Sequence, residues 1–558
     1  MDKHQSFHTE LKVLHDALLD YSDQYPKEAE QLNLREFDDK DPSVSRLLEG
    51  VAYIGTQIKE HINQDIPEIS QTLLEQVAPD LLKPVVSSVV MRFTPNIHEL
   101  EKTKTIKKDS FVYSNKEKQI KFTTTESLNI NPLEVSGVKF EQAQDFNYLT
   151  LKFKVPKSLN FERLDLSSFP IYIHEDYETA LQIYDLLTQN IESIQAKHGE
   201  AVLATDLKVK TKLQSSTKEN INSILHTVKK FFVAPESYLF FDIQGMDKIS
   251  LPSECESFEL FFTLKKQEIK TIHWRDEIFV INAVRAENSF DHYTEPFNFE
   301  ENGYEYVINL DAQTPDDLDL LAINKITSLD AQGGKVSRYD SIRDLDKPNS
   351  LHYQLIKRQT VNKKKQYALR FSQQSKPGDV VSIDAEMSNH YLSRKKLKKG
   401  DVNQLSEKIE AIACENVARP TLFVEHNDFS KMRWLLLAYL NLQLKTLLSL
   451  DNLRSLLNML NWTKEKRVNH MIDALVDLNH SSSNQMIGGA VYPVQTVEVL
   501  LDDRQFVSLS EAILFSELLY CLYLHYIPVN QVLKFKATFT SVKRVYVWDT
   551  QIGRKFNL

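Results

Sequence analysis

Cysteine and glycine are both scarce in this sequence. Three cysteines, Cys255, Cys414 and Cys521, stand far apart in 558 residues. That spacing excludes a disulfide framework and a cysteine-built zinc site, and it fits a reducing compartment. Only 13 glycines are present. The pairs Gly333-Gly334 and Gly488-Gly489 lie in no Gly-x-Gly-x-x-Gly frame and precede no Lys-Ser/Thr, so no nucleotide-binding loop is supported. Gly-x-Ser-x-Gly and His-Glu-x-x-His are also missing. Long apolar runs are lacking too. Lys445 ends the window 434–444, and Glu517 and His525 interrupt the window 515–529, so no membrane span is expected. Positive charge is in deficit, 67 Lys and Arg against 77 Asp and Glu, for a net charge of −10. Phosphate binding needs clustered cations, so nucleic acid is not expected as the main partner. The first residues, Met1-Asp2-Lys3-His4-Gln5, form no apolar signal core, and the expected location is cytoplasmic.

What is present is ordinary globular material. Hydrophobic residues make up 42% and charged residues 26%, enough for large cores and against disorder. The length suits roughly three or four domains. The periodicity predicts an α+β multidomain chain. Its parts are an N-terminal helical (bundle) region over 1–85, a β-rich domain with inserted helices over 86–235, a second β-rich domain with hairpins over 236–425, and a C-terminal α/β domain over 426–558.

The N-terminal region carries the strongest pattern. Phe7, Leu11, Leu14, Leu18, Tyr21 and Tyr25 follow a 4-3-4-3-4 spacing, an a/d seam that ends near Pro26. A second helix opens at Asp41-Pro42, a capping carboxylate with proline at the first helical position. It continues through Val44, Leu47, Leu48, Val51, Ile54, Ile58 and Ile62. A third runs through Ile66, Ile69, Leu73, Leu74 and Val77 to Ala78-Pro79. One apolar face does not offset the entropy of ordering a helix, so each helix needs neighbours. They can come from its own chain, as an ordinary three-helix subdomain, or from another chain. Gly50 and Gly55 each cost about 1 kcal/mol in a helix, which a close helix crossing would explain.

Beyond Pro84 the period changes to two. Leu149, Leu151, Phe153 and Val155 alternate with Thr150, Lys152 and Lys154, the mark of a half-buried strand. Asp176 caps a helix bearing Ala180, Ile183 and Leu187. Phe258, Leu260, Phe262 and Leu264 alternate, as do Tyr304, Tyr306, Ile308 and Leu310. Lys376-Pro377-Gly378-Asp379 reads as a hairpin turn, and the polar stretch 332–365 as a surface excursion. Ser508-Leu509-Ser510-Glu511 is a capping box before a helix ended by Pro528, and strands at 533–539 and 545–548 close the chain.

Few constellations could carry chemistry. His470, Asp473, Asp477 and His480, at i, i+3, i+7 and i+10, would share a helix face and could bind a divalent metal, or simply form a solvated polar face. His61 and Asp65 lack a third ligand nearby. Arg394-Lys395-Lys396-Leu397-Lys398-Lys399 is the sharpest basic run; it reads as a solvated loop and lacks the interleaved aromatics of single-strand binders. Cys255, between Glu254 and Glu256, has the wrong surroundings for an activated nucleophile. No catalytic, cofactor or metal residue is assigned, and no cofactor is expected.

Several strings resemble one family in the order that family shows them. They are Asp41-Pro42-Ser43-Val44-Ser45-Arg46-Leu47-Leu48-Glu49-Gly50-Val51-Ala52-Tyr53-Ile54, then Ala78-Pro79-Asp80-Leu81-Leu82-Lys83-Pro84, then Ile171-Tyr172-Ile173-His174 with its following helix. Phe231-Phe232-Val233-Ala234-Pro235-Glu236-Ser237-Tyr238-Leu239-Phe240-Phe241-Asp242 and the C-terminal block complete the series. The family is TssF (VasA, ImpG), baseplate wedge subunits of the bacterial type VI secretion system. Where the family shows a Cys-x-Pro-Val-x-Asn-Leu-Phe-like run, this chain departs with Ile281-Asn282-Ala283-Val284-Arg285-Ala286-Glu287-Asn288-Ser289-Phe290.

The resemblance implies a structural, non-enzymatic role. Two TssF copies would join one TssG through a helical bundle, and the wedge would contact TssE, TssK, the spike or hub protein and neighbouring wedges at the inner-membrane-docked baseplate. Carried onto this chain, the expected partner-binding residues are Phe7, Leu11, Leu14, Leu18, Tyr21, Val44, Leu47, Val51, Ile54 and Ile58. The alternatives are a wedge protein of a phage or another contractile injection machine, and a metal-dependent enzyme using a 470–480 helix.

Overall fold

The computed structural model describes residues 8, 11, 12, 14, 17, 46, 47, 49–54 and 79–553, except 118, 157–163, 206, 217–220, 250–254, 268–271, 302, 312–316, 331–333, 335, 343–350, 360–364, 373–375, 408, 426–442, 464, 488–489 and 543. The chain divides into two compact units, one of Met1–Pro79 with Asn427–Leu440 and one of Asp80–His426 with Asn441–Leu558. In the first unit the described residues are helical, as the heptad spacing requires.

The second unit is mixed α and β, built on several sheets. The strand Ser88–Pro95 pairs antiparallel with both Ala283–Glu287 and Ile412–Asn416, at the heart of a six-stranded sheet. Val89, Met91, Phe93, Val112, Phe122 and Ala286 fill the core on it. In Phe146–Lys154 the alternate residues are buried as the period of two predicts. Leu149, Leu151 and Phe153 lie opposite Phe262, Leu260 and Phe258 of Ser257–Lys265.

Strand Phe279–Ile281 belongs to a four-stranded sheet and Ala283–Glu287 to the six-stranded one. Asn282, at φ 51°, is the single residue between them. An amide side chain tolerates this left-handed backbone better than most. Its side chain then holds the residue that follows strand Leu128–Ile130, accepting from the Asn131 N–H at 3.1 Å and donating to the Asn131 carbonyl at 3.0 Å. The stretch that departs from the family's pattern is thus a buried corner where the chain changes sheets.

Two expectations fail in the eight-stranded sheet. Lys376 to Asp379 does form a turn, with Gly378 at φ 91°, but it is not a hairpin turn. The flanking strands Lys365–Phe371 and Val380–Ser388 are not neighbours; Asp319–Leu329, Val336–Ser341 and Leu351–Gln359 lie between them. The polar stretch 332–365 therefore is not a surface excursion. It supplies strands, and Tyr339 is buried in the core. Alternating small and polar residues on the outer face hid this strand from the hydrophobic pattern.

The C-terminal part is a parallel strand–helix–strand unit. Ala490–Leu501 pairs parallel with Val532–Phe539, and the helix Leu509–Tyr526 connects them. Ser508 caps that helix by accepting from the Glu511 N–H at 3.3 Å. Every residue from Ser510 to Tyr526 is buried, so the apolar run has no polar face because it is wrapped on all sides. Among the described residues no helix is long and apolar enough to cross a membrane.

Candidate interaction surface

The helix through residues 49–54 shows one apolar stripe to solvent. Leu47, Val51 and Ile54 are 69%, 47% and 57% exposed. At 100° per residue they fall within a sector of about 60°. Ala52, about a third of a turn away, is fully buried, and Tyr53 is 60% exposed. Leu11 and Leu14, three apart in the first helix, are half-buried. Of the remaining expected residues, Phe7, Leu18, Tyr21, Val44 and Ile58 lie outside the described residues. A bare stripe of three large aliphatic side chains is a surface that burial would stabilise and that water does not.

The metal-helix expectation does not hold. Helix Lys466–Asp473 ends before Asp477, and Leu475–Ile487 is a strand, so His470 and Asp473 sit on a helix while Asp477 and His480 sit on a strand. Leu475 and Leu478 lie opposite Leu501 and the β-branched Val499, and this cross-strand packing favours the pleated surface over another helical turn. Among the described residues no group of three or more His, Cys, Asp and Glu could hold a metal ion. The basic run is likewise no free loop. Its first three residues lie in the short helix Leu392–Lys396, with Arg394 donating to the Pro420 carbonyl at 2.5 Å and Lys396 paired with Glu117 at 3.1 Å. Cys255 is buried, its thiol donating to the Ser257 carbonyl at 2.9 Å.

The buried ionic groups tie the second unit together. Lys230 pairs with Glu287 at 2.8 Å, and Arg285 reaches the same carboxylate at 3.0 Å. Burial pushes the Glu287 carboxyl up, but Lys230 and Arg285 outweigh it and hold it below its ordinary range. His226 is kept neutral by burial and by the cations Lys230, Lys229, Lys83 and Arg285. Lys229 is buried and donates to the carbonyls of Leu81 and Lys83 at 2.9 and 2.8 Å, with its ammonium 3.8 Å from the centre of the Trp462 ring. Beside this cluster Tyr238 and Arg285, with Val85, Val86 and Ala234, line a small recess of a size for water. Lys230, Glu287 and Arg285 are thus spent on one another.

The sequence as a whole matches the family model described as type VI secretion system, TssF, over residues 2–555. The chain belongs to the TssF family. A curated relative, the type VI secretion system component TssF1 of Pseudomonas aeruginosa, is 20% identical over 351 residues. That match covers 58% of this TssF-family chain and 56% of the relative, just over half its length. Among solved structures, a chain of the type VI secretion system TssK-TssF-TssG baseplate subcomplex superposes with a TM-score of 0.78 at 18% identity, covering 91% of this chain and 98% of that one. A chain of the type VI secretion baseplate complex superposes with a TM-score of 0.63 at 16% identity, covering all of both. At these identities the superpositions show a shared fold.

Sequence reasoning found the stripe because the heptad spacing is a direct image of one helix face. It missed Asn282, whose role depends on a left-handed backbone angle, and the Lys230–Glu287–Arg285 group, whose members come from two distant segments. Glu517 left a visible signal as a carboxylate inside an apolar helical run.

Proposed function

We propose that this chain is a structural component of the type VI secretion baseplate wedge and works by binding, not by turnover. The observation that carries the reading is the bare Leu47–Val51–Ile54 stripe on a TssF-family chain. In this reading the first-unit helices complete their burial against TssG and a second copy of the chain, in a two-to-one complex. The seam uses Phe7, Leu11, Leu14, Leu18, Tyr21, Val44, Leu47, Val51, Ile54 and Ile58. TssE, TssK, the spike or hub protein and neighbouring wedges contact the rest, on the cytoplasmic side of the docked baseplate. The named complex of the solved relative, TssK-TssF-TssG, supports TssG and TssK among these partners.

The test is co-purification with TssG from co-expressing cells. Leu47→Asp/Val51→Asp and Leu11→Asp/Leu14→Asp chains are expected to lose TssG while the β-rich second unit keeps its wild-type circular dichroism. Retention of TssG by both variants would remove the assignment.

A further inference from the structure

The chain passes between its two units after Pro79, after His426 and after Leu440. The first two passages start from one piece of structure. In the six-stranded sheet, Ile412–Asn416 runs beside Ser88–Pro95, from Ile412 opposite Pro95 to Asn416 opposite Met91. The pairing continues past the regular strands. Val417 donates to the Val90 carbonyl and Thr421 to the Ser88 carbonyl, both at 2.9 Å. The Thr421 hydroxyl accepts from the Ser88 N–H at 2.8 Å, and the Ser87 hydroxyl donates to the Thr421 carbonyl at 2.6 Å. Val85 and Val424 then exchange two backbone bonds, at 2.8 and 2.9 Å. Residues 418–420 bulge out opposite Val89. Arg394 holds that bulge by donating to the Pro420 carbonyl, and Arg419 donates back to the Arg394 carbonyl at 2.6 Å.

A two-stranded antiparallel ribbon thus runs from the sheet to Val85 and Val424. Because its strands are antiparallel, the passages at Pro79 and His426 leave from the same end of it. Each passage is held by its own lysine. Lys229 is buried and donates to the carbonyls of Leu81 and Lys83, just before Val85. Lys365 pairs with Glu425, the residue after Val424, and with the buried Asp319 at 2.6 Å. Asp319 also accepts from the Tyr367 hydroxyl, and the His390 ring stacks on Phe423 with centroids 5.1 Å apart.

We infer that the ribbon is a conformational relay that makes the two passages one cooperative unit. Loosening the grip on either passage loosens both, and a load on one is carried by both into the core strand Ser88–Pro95. The physical reason is that two strands alone are marginal in water, so this extension depends on the anchors at its end. Proteins open locally in contiguous cooperative segments, and the bonds from Val85–Val424 to Ser88–Thr421 form one such segment. Lys229 holds one strand of it and Lys365 the other, so losing either anchor weakens every bond between them. The relay needs neither TssG nor the first-unit helices, so it stands apart from the baseplate reading.

The experiment is backbone hydrogen exchange of the purified full-length chain, read over 80–86, over 421–425 and, for reference, over the buried helix Leu509–Tyr526. Losing one charge-assisted hydrogen bond should speed local opening about tenfold. Lys229→Met is expected to speed exchange over 421–425, which Lys229 does not hold, as much as over 80–86. Lys365→Met is expected to speed exchange over 80–86, which Lys365 does not hold, as much as over 421–425. Thr421→Val keeps both lysines, removes the hydroxyl bonded to Ser88, and should speed both stretches together. Exchange in the reference helix should match wild type in all three variants. Speeding confined to the stretch that the altered lysine holds overturns the relay. So does equal speeding of the reference helix, which would mark a general loss of stability.

Discussion

Tyr184 donates its phenolic hydrogen to Glu517 across 3.1 Å, though 333 residues of chain separate the two. Seven residues earlier on the same helix, Tyr177 donates to Glu511 at 3.0 Å. Two phenol-to-carboxylate bonds therefore pin the helix Tyr177–Gln189 to the fully buried helix Leu509–Tyr526. Thr211 and Gln214 add further hydrogen bonds to Glu517, the second at 3.1 Å. A carboxyl group this deep is stabilised by donors but still resists ionisation.

That resistance fixes a pH dependence. Burial pushes Glu517 from its ordinary 4.5 up to about 7, against the hydrogen bonds from Thr211, Tyr184 and Gln214. Between those values the folded chain holds a proton that the unfolded chain releases, so stability is greatest below the unfolded value and falls as pH rises toward 7. The span corresponds to about 3 kcal/mol. Asp185, also pushed up to about 7 by burial, adds a fall of the same sign. Urea unfolding from pH 4.5 to 7.5 should show a declining stability in wild type and a flatter profile in Glu517→Gln. Parallel profiles would rule out this role for Glu517.

Asn282 should be irreplaceable at its corner. Asn282→Ala removes the two bonds to Asn131, leaves that residue's N–H unpaired in the core while its carbonyl keeps the Leu133 N–H, and puts a Cβ without a compensating amide at φ 51°. The expected cost is about 3 kcal/mol, the sum of an unsatisfied buried N–H and left-handed strain. Asn282→Gly should lose the bonds but not the backbone geometry, so chemical denaturation should rank wild type above Gly above Ala.

The Lys230–Glu287–Arg285 group should show strong coupling. Glu287→Gln leaves two buried cations facing an amide, and the expected loss is about 3 kcal/mol. Lys230→Met combined with Glu287→Gln should be less destabilised than the sum of the single changes, because each single change strands the other partner. Additive effects in the double-mutant cycle would show that the group is not a unit.

The apolar periodicities carried much of the fold in the sequence itself. The alternation at 149–155 gave its strand, and Ser508 to Glu511 gave the start of the buried helix, because period and cap are local physics. The boundary at Ala474 was hidden. Helix Lys466–Asp473 runs straight into strand Leu475–Ile487 without Gly or Pro to punctuate it, so a helical spacing of His and Asp spanned two elements. Strand order was hidden for a different reason. Lys376 to Asp379 has every residue a hairpin turn wants, yet which strands pair is decided by three others inserted between its flanks. The stripe of Leu47, Val51 and Ile54 was legible because a bare helix face and a buried one obey the same spacing; only exposure tells them apart.

The central claim is that foreign polypeptide covers that stripe. Native mass spectrometry of the chain co-expressed with TssG measures this most directly. The account predicts a stable species containing two copies of the 64.7 kDa chain and one TssG, lost when Leu47 and Val51 carry aspartate. Recovery of the wild-type chain without TssG under the same conditions would contradict it.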